Sequence, residues 1–182
     1  LRTMQPFGPG YYATGSFLRD NRSFLFSAAD SGASAFGADV YRYDARRRRT
    51  VRLTATPQVF DVQAQLAPNG ELLVWSAGRP DTASTNAWRS ELYIMRLQDS
   101  TVVQLTHFNE PGYDEFLRMP TDIGRPDWHP RGDTLAASYR YRRGIMGWQQ
   151  RIFVLPLTTA AGEILPVLRR QRRPATRKSG IS

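Results

Sequence analysis

One short pattern occurs three times along the chain, and this repetition constrains the fold more than any other feature of the sequence. Phe17-Leu-Arg-Asp-Asn-Arg-Ser-Phe-Leu-Phe-Ser27 aligns at an offset of 49 with Leu66-Ala-Pro-Asn-Gly-Glu-Leu-Leu-Val-Trp-Ser76. That segment aligns at an offset of 62 with Trp128-His-Pro-Arg-Gly-Asp-Thr-Leu-Ala-Ala-Ser138. Each copy reads as a strand end, a polar turn and an apolar strand closing on serine. A second landmark follows every time: Asp39-Val-Tyr-Arg-Tyr, Glu91-Leu-Tyr-Ile-Met and Arg151-Ile-Phe-Val-Leu. Twelve residues beyond the aromatic of each landmark comes Leu53, Leu105 or Leu165, the first two followed by threonine.

Each unit predicts four antiparallel strands. They fall near 15–18, 23–28, 38–44 and 50–54, then 62–66, 71–76, 90–97 and 101–106, then 125–128, 133–139, 150–157 and 163–168. Asp20-Asn21, Asn69-Gly70 and Arg131-Gly132 supply residues that tolerate positive φ in tight hairpins. Leu72-Leu-Val-Trp75 and Ile152-Phe-Val-Leu155 are apolar on both faces, as expected of strands sandwiched between sheets. Glycine and proline punctuate the chain throughout, and no long stripe of helical period survives them. Four-strand units of roughly 40–50 residues are the size of propeller blades. The expected fold class is all-β, with three four-stranded antiparallel blades over residues 15–168, at about 15–54, 62–106 and 125–168. Residues 1–14 read as an irregular lead-in and 169–182 as a disordered basic tail.

Arg125-Pro-Asp-Trp-His-Pro-Arg-Gly-Asp-Thr-Leu-Ala resembles the PD40 repeat of TolB-like, WD40-like β-propellers. The family pattern runs Pro-x-Trp-Ser-Pro-Asp-Gly, then Ile-Tyr-Val-Met, then Leu-Thr. Unit two matches it with Leu66-Ala-Pro-Asn-Gly, Leu92-Tyr-Ile-Met95 and Leu105-Thr106. His129 replaces the serine, Arg131 and Asn69 replace the aspartate, and unit one lacks the proline and glycine. The resemblance implies a propeller and a non-enzymatic scaffold in a periplasmic or other extracytoplasmic assembly. The same repeat also accompanies hydrolases of the prolyl-oligopeptidase type, so the propeller portion of such an enzyme is the alternative. Closed propellers typically have about four to eight blades, and three leave open blade faces. The chain is therefore expected to be completed by further blades of a longer chain, or by a partner or a second copy.

Composition narrows the chemistry. With no cysteine and only His107 and His129, the chain offers no thiolate or histidine-rich metal site, no disulfide and no cysteine nucleophile. No nucleophile elbow, zinc-binding helix motif, calcium loop or phosphate cradle is present in the sequence, so neither a catalytic residue nor a cofactor is expected. His107-Phe-Asn-Glu110 reads as a solvated loop. No apolar run approaches the roughly 20 residues that cross a bilayer as a helix. The net charge of +9 resides largely in Arg169, Arg170, Arg172, Arg173, Arg177 and Lys178, with no acid among them. Such a tail favours salt-sensitive attraction to an anionic surface, and its lack of aromatics argues against nucleic acid.

The surface argument concerns one side of the blades. In a four-strand meander the connections from strand two to three, and from strand four to the next blade, leave the same face. The long spacers 77–90, 107–124 and 139–150 fall there and read as binding loops. Arg79, Trp88, Arg89, Arg140, Tyr141, Arg142, Arg143 and Trp148 interleave cations with aromatics on that face and are the expected protein-binding residues. Tyr139 and Tyr141 alternately read as core. Arg46–Arg49 reads as a solvated hairpin tip on the opposite face.

Overall fold

The computed structural model describes residues 3–29, 37–82, 87–142, 147–160 and 163–166, with side chains through residue 158. Its strands form three four-stranded sheets, and no helix occurs among the described residues. Blade one contains β1 (Tyr12–Phe17), β2 (Ser23–Ala28), β3 (Asp39–Asp44) and β4 (Arg49–Arg52). Blade two contains β5 (Phe60–Leu66), β6 (Leu72–Pro80), β7 (Trp88–Arg96) and β8 (Thr101–Gln104). Blade three contains β9 (Thr121–Trp128), β10 (Thr134–Arg142), β11 (Trp148–Ala160) and β12 (Glu163–Pro166). Within each sheet the strands pair antiparallel in sequence order, which is the meander of a propeller blade, and one parallel bridge between Ala38 and Phe60 links blade one to β5.

The repeat landmarks occupy equivalent ladder positions. Tyr41, Tyr93 and Phe153 face Phe26, Trp75 and Ala137, and Ser27, Ser76 and Ser138 face Ala13, Val62 and Gly124. Each inner strand carries a bulge at one place, where three steps on β1, β5 or β9 oppose two on the next strand. Gln63 and Arg125 head the bulges of blades two and three with φ of 58° and 55°. Blades one and two approach closely at these inner strands. A Cβ on Gly15 would lie 2.5 Å from the Ala64 carbonyl oxygen, so glycine is required there.

Adjacent blades bury aliphatic faces against each other. Leu25 and Val40 of blade one meet Ala64, Leu73 and Trp75 of blade two. Val74, Leu92 and Ile94 of blade two meet Ile123, Trp128, Leu135 and Ala137 of blade three. The lead-in segment is also ordered. Phe7 packs on Tyr41 with ring centres 4.8 Å apart and planes tilted by 51°, while the Tyr12 hydroxyl accepts from the Phe7 amide and donates to the Gly8 carbonyl.

Several strand boundaries differ from expectation: β1 already starts at Tyr12, inside the segment 1–14 expected to be irregular, and the differences below have identifiable reasons. β6 and β7 run on to Pro80 and back to Trp88, so most of the described part of the 77–90 spacer is hairpin. Gly78 tolerates this position because a Cβ there would come within 2.6 Å of the Ser90 Cβ. β10 and β11 likewise extend to Arg142 and back to Trp148. The outer strands stop short of Thr54 and Thr106 because threonine hydroxyls take over from backbone carbonyls. Thr54 Oγ1 accepts the Val40 amide at 2.9 Å, and Thr106 Oγ1 accepts the Leu92 amide at 2.9 Å.

Candidate functional site

The same threonines tie a buried acid to the end of each of the first two blades. Thr106 donates to Glu91 at 2.6 Å, and Glu91 also accepts the Asn109 amide at 2.7 Å. Thr54 donates to Asp39 at 3.3 Å, and Asp39 accepts the Thr56 amide at 3.1 Å and pairs with Arg52. The landmark acid and the downstream Leu-Thr are thus two ends of one lock. Their link across 15 residues explains why both recur in blades one and two. Blade three has Arg151 and Pro166 at these positions and lacks the lock's acid and its threonine. Sequence reasoning noted both landmarks but not their bond.

A third buried carboxylate, Asp61, lies between blades one and two. It accepts from the Thr56 hydroxyl and, at 3.2 Å, from the Trp75 indole. Burial pushes the Asp61 and Glu91 carboxyls above the ordinary carboxylate range, with hydroxyl and amide donors only partly offsetting it. A raised acid favours the protonated fold, so its contribution is complete below the unfolded value of about 4 and is lost as pH rises through the folded value. Wild-type protein is therefore expected to lose melting temperature relative to Asp61→Asn as pH rises above about 4. Parallel melts at several pH values check this, and identical slopes would refute it. Below that pH the exposed turn acid Asp20 acts oppositely. Amides of Arg22 and Ser23 hold it down to about 2, so its contribution is lost as pH falls.

Those of the expected partner-binding residues that are described stand on extended hairpins rather than loops. Asp122, at the start of β9, joins two of these hairpins. It accepts the Ser90 hydroxyl of blade two at 2.8 Å and the Arg140 Nε of blade three at 2.7 Å. The Arg140 guanidinium sits 5.3 Å from the centre of the Trp148 ring, which is 48% exposed. Trp148 occupies in blade three the place of Trp88 in blade two, whose ring packs 5.5 Å from Phe60. Arg89 donates to Asp81 at 2.7 Å, while Arg79 and Arg142 are exposed at the hairpin ends.

Tyr141 departs from the surface reading. Its side chain is buried, with its ring stacked 6.0 Å from Tyr139, because strand alternation points both rings to the opposite side from Arg140 and Arg142. Tyr139 in turn packs on Phe108 and Phe153. Arg143 and the tail residues Arg169, Arg170, Arg172, Arg173, Arg177 and Lys178 lie outside the described residues. Arg46–Arg49 is an exposed hairpin tip, its turn capped by Asp44 accepting the Arg46 and Arg47 amides at 2.9 Å.

The 107–120 connection is more structured than a solvated loop. His107 stacks on Tyr113 at 3.7 Å and 7°. The Asn109 side chain donates to the carbonyls of Ser90 and Thr121 and to Glu91, and accepts the Thr121 amide. Asp122 and Asn109 escaped sequence reasoning because single polar residues in a long spacer carry no periodic signal. Among the described residues, no group of three or more acids and histidines could hold a metal ion. No described helix is long and apolar enough to cross a membrane.

Neither a known protein family nor a curated protein matches the sequence. Solved structures match the fold. The tricorn protease superposes with a TM-score of 0.55 at 9% identity, covering 87% of this chain and 15% of its own. Hydrazine synthase of Kuenenia stuttgartiensis gives 0.51 at 14% identity, covering 82% and 40%. The β-propeller domain of the Trilobed protease from Pyrococcus furiosus gives 0.46 at 6% identity, covering 87% and 57%. The chain thus spans well under two thirds of each of these proteins. Its fold is a set of three consecutive β-propeller blades, of the kind that further blades complete.

Proposed function

We propose that this chain is a binding section of a TolB-like propeller, carries no catalytic residue or cofactor, and engages a protein partner through its hairpin face. The observation that supports this most is the Ser90–Asp122–Arg140 connection, which holds the two hairpins and their tryptophans in one rigid surface. Strands pre-order such side chains, so little conformational entropy opposes their contacts. The TolB-like, PD40 assignment rests on the repeat pattern, and the acid–threonine lock gives two of its landmarks a common physical role. A location outside the cytoplasm follows from the same resemblance. Trp88, Arg140, Arg142 and Trp148 form the contact surface, with Arg79 and Arg89 on the other face of the blade-two hairpin and the basic tail as an electrostatic auxiliary.

The alternative, the propeller portion of a prolyl-oligopeptidase-type hydrolase, is favoured by the likeness to a chain named as a protease, the tricorn protease. An α/β-hydrolase domain in the same reading frame would decide for it. The binding reading is tested by retention of a cell-envelope protein on the immobilised chain. Trp88→Ala is expected to cost about 2 kcal/mol of affinity, largely independent of salt. Deleting residues 169–182 is expected to weaken binding mainly at low salt. If tail deletion abolished binding and the tryptophan change were silent, the hairpin face would not be the site.

A further inference from the structure

The turn side of blade one carries arginines that its fold does not use. The β1–β2 turn presents Arg19 and Arg22, the β3–β4 turn presents Arg46–Arg49, and all of these residues are exposed. The two turns are held together as one surface. The Ala45 amide donates to the Arg22 carbonyl at 2.9 Å, and Arg42 donates to Asp20 and to the Ser23 hydroxyl, each at 3.3 Å. The acids of this surface are occupied locally. Asp20 accepts the Arg22 and Ser23 amides at 2.9 and 2.8 Å. Asp44 accepts the Arg46 and Arg47 amides and the Arg47 guanidinium, all at 2.9 Å. Among the described residues no acid pairs with Arg19, Arg22, Arg46, Arg48 or Arg49.

Blade two shows that the turn itself does not require this charge. By register Arg46–Arg49 correspond to Gln98, Asp99, Ser100 and Thr101, which build the same turn, with Ser100 at a φ of 59° where Arg48 has 52°. Left-handed backbone favours glycine or asparagine, so arginine at position 48 has no local advantage. On the turn side of blade three, Arg131 is paired with Asp133 at 3.1 Å. Turns leave a sheet along its strands, so blades stacked on either side of blade one leave this corner open, however many there are.

We infer that this corner of blade one docks on an anionic phospholipid surface, its guanidinium groups lying among the lipid phosphates. Guanidinium groups take phosphate oxygens in paired, charge-assisted hydrogen bonds. Each cation near an anionic bilayer adds an attraction that salt weakens. A convex pair of hairpin tips meets a flat surface without needing a groove. The observations favour a bilayer over nucleic acid. Neither turn, 18–22 or 44–49, contains an aromatic residue on which bases could stack. Glu71 and Asp99 stand exposed on the neighbouring turns of blade two, so a strand tracking across the turn side would run onto carboxylates. The hairpin face lies at the other end of the strands and points away from the bilayer, so partner binding there and lipid docking here can each fail alone.

The test is co-sedimentation of the full chain with vesicles of phosphatidylcholine alone or of equal parts phosphatidylcholine and phosphatidylglycerol. Wild type is expected to pellet with the mixed vesicles at low salt, to be released as salt rises, and to stay in solution with phosphatidylcholine alone. Arg46→Gln/Arg48→Asn/Arg49→Gln removes three cations, leaves Arg47 on Asp44, and places at position 48 a residue that suits left-handed backbone. Its affinity for mixed vesicles is expected to fall about a hundredfold, at roughly fivefold per cation. All three positions are exposed, so its melting curve should match wild type. Arg46→Lys/Arg48→Lys/Arg49→Lys keeps the charge and should stay within about fivefold of wild type. Deleting residues 169–182 should weaken vesicle binding without abolishing it, because the corner remains. Several results would each overturn the inference: equal binding or none to the two vesicle types, a neutral variant that binds like wild type, or a lysine variant as weak as the neutral one. So would binding that vanishes with the tail alone, or a tighter complex with a duplex oligonucleotide than with vesicles of equal phosphate concentration.

Discussion

Leu92→Ala is expected to lower the unfolding free energy by about 2–5 kcal/mol, the range for a leucine removed from a packed core. Leu92 is fully buried between blades two and three, among Val74, Ile94, Ile123 and Leu135. Its backbone is held on both sides, its carbonyl accepting the Leu105 amide at 2.7 Å and its amide donating to Thr106 at 2.9 Å. The chain therefore cannot slide inward to fill the space, which places the cost in the upper part of the range. Denaturant melts of wild type, Leu92→Ala and the exposed Val102→Ala check this. The Val102 change should stay within about 0.5 kcal/mol, as surface substitutions do. Equal effects at the two positions would mean that the blade interface contributes little to stability.

Asn109→Ala is expected to cost about 3 kcal/mol, from side-chain hydrogen bonds that each contribute roughly 1 kcal/mol net and leave buried groups unmatched when removed. The asparagine amide imitates a strand partner for Thr121, bonding both its N–H and its carbonyl at 2.9 Å. It also reaches the Ser90 carbonyl at 3.1 Å and Glu91 at 2.9 Å. One side chain thus seats the first residue of blade three on blade two. Asn109→Asp should be nearly as damaging, since a carboxylate cannot donate to the two carbonyls and would lie beside Glu91. Unfolding curves give the energies. A cost under about 0.5 kcal/mol for both variants, the range of ordinary surface changes, would show that backbone pairing alone positions β9.

The repeat made the strands, the hairpins and their order legible, because each landmark sits where blade geometry needs it. Asn21, Gly70 and Gly132 adopt φ of 51°, 80° and 75° at the turns that the sequence marks. The left-handed φ of Gln63 and Arg125 was not legible, since neither residue type signals it. The bulge becomes apparent only when the inner strands are compared through their ladders. The extent of β6 was hidden by Gly78 and Pro80, which look like turn residues. Gly78 instead permits close strand approach, and Pro80 ends the strand where a missing amide is tolerated. Tyr139-Arg-Tyr-Arg was ambiguous because alternation makes one face aromatic and the other cationic, and pattern alone does not say which face is covered. The acid–threonine lock left two visible marks in the sequence, but linking them requires knowing that β4 ends beside the start of β3.

Because the strands of each sheet pair in sequence order, no ladder within a blade waits for a distant part of the chain. Loop-closure entropy is modest for such pairings. A blade emerging from the ribosome can complete its own meander before the next one exists. The finished blade then offers its aliphatic face as a template on which the following inner strand condenses. During synthesis this lets assembly proceed blade by blade, a finished blade serving as a template for its successor.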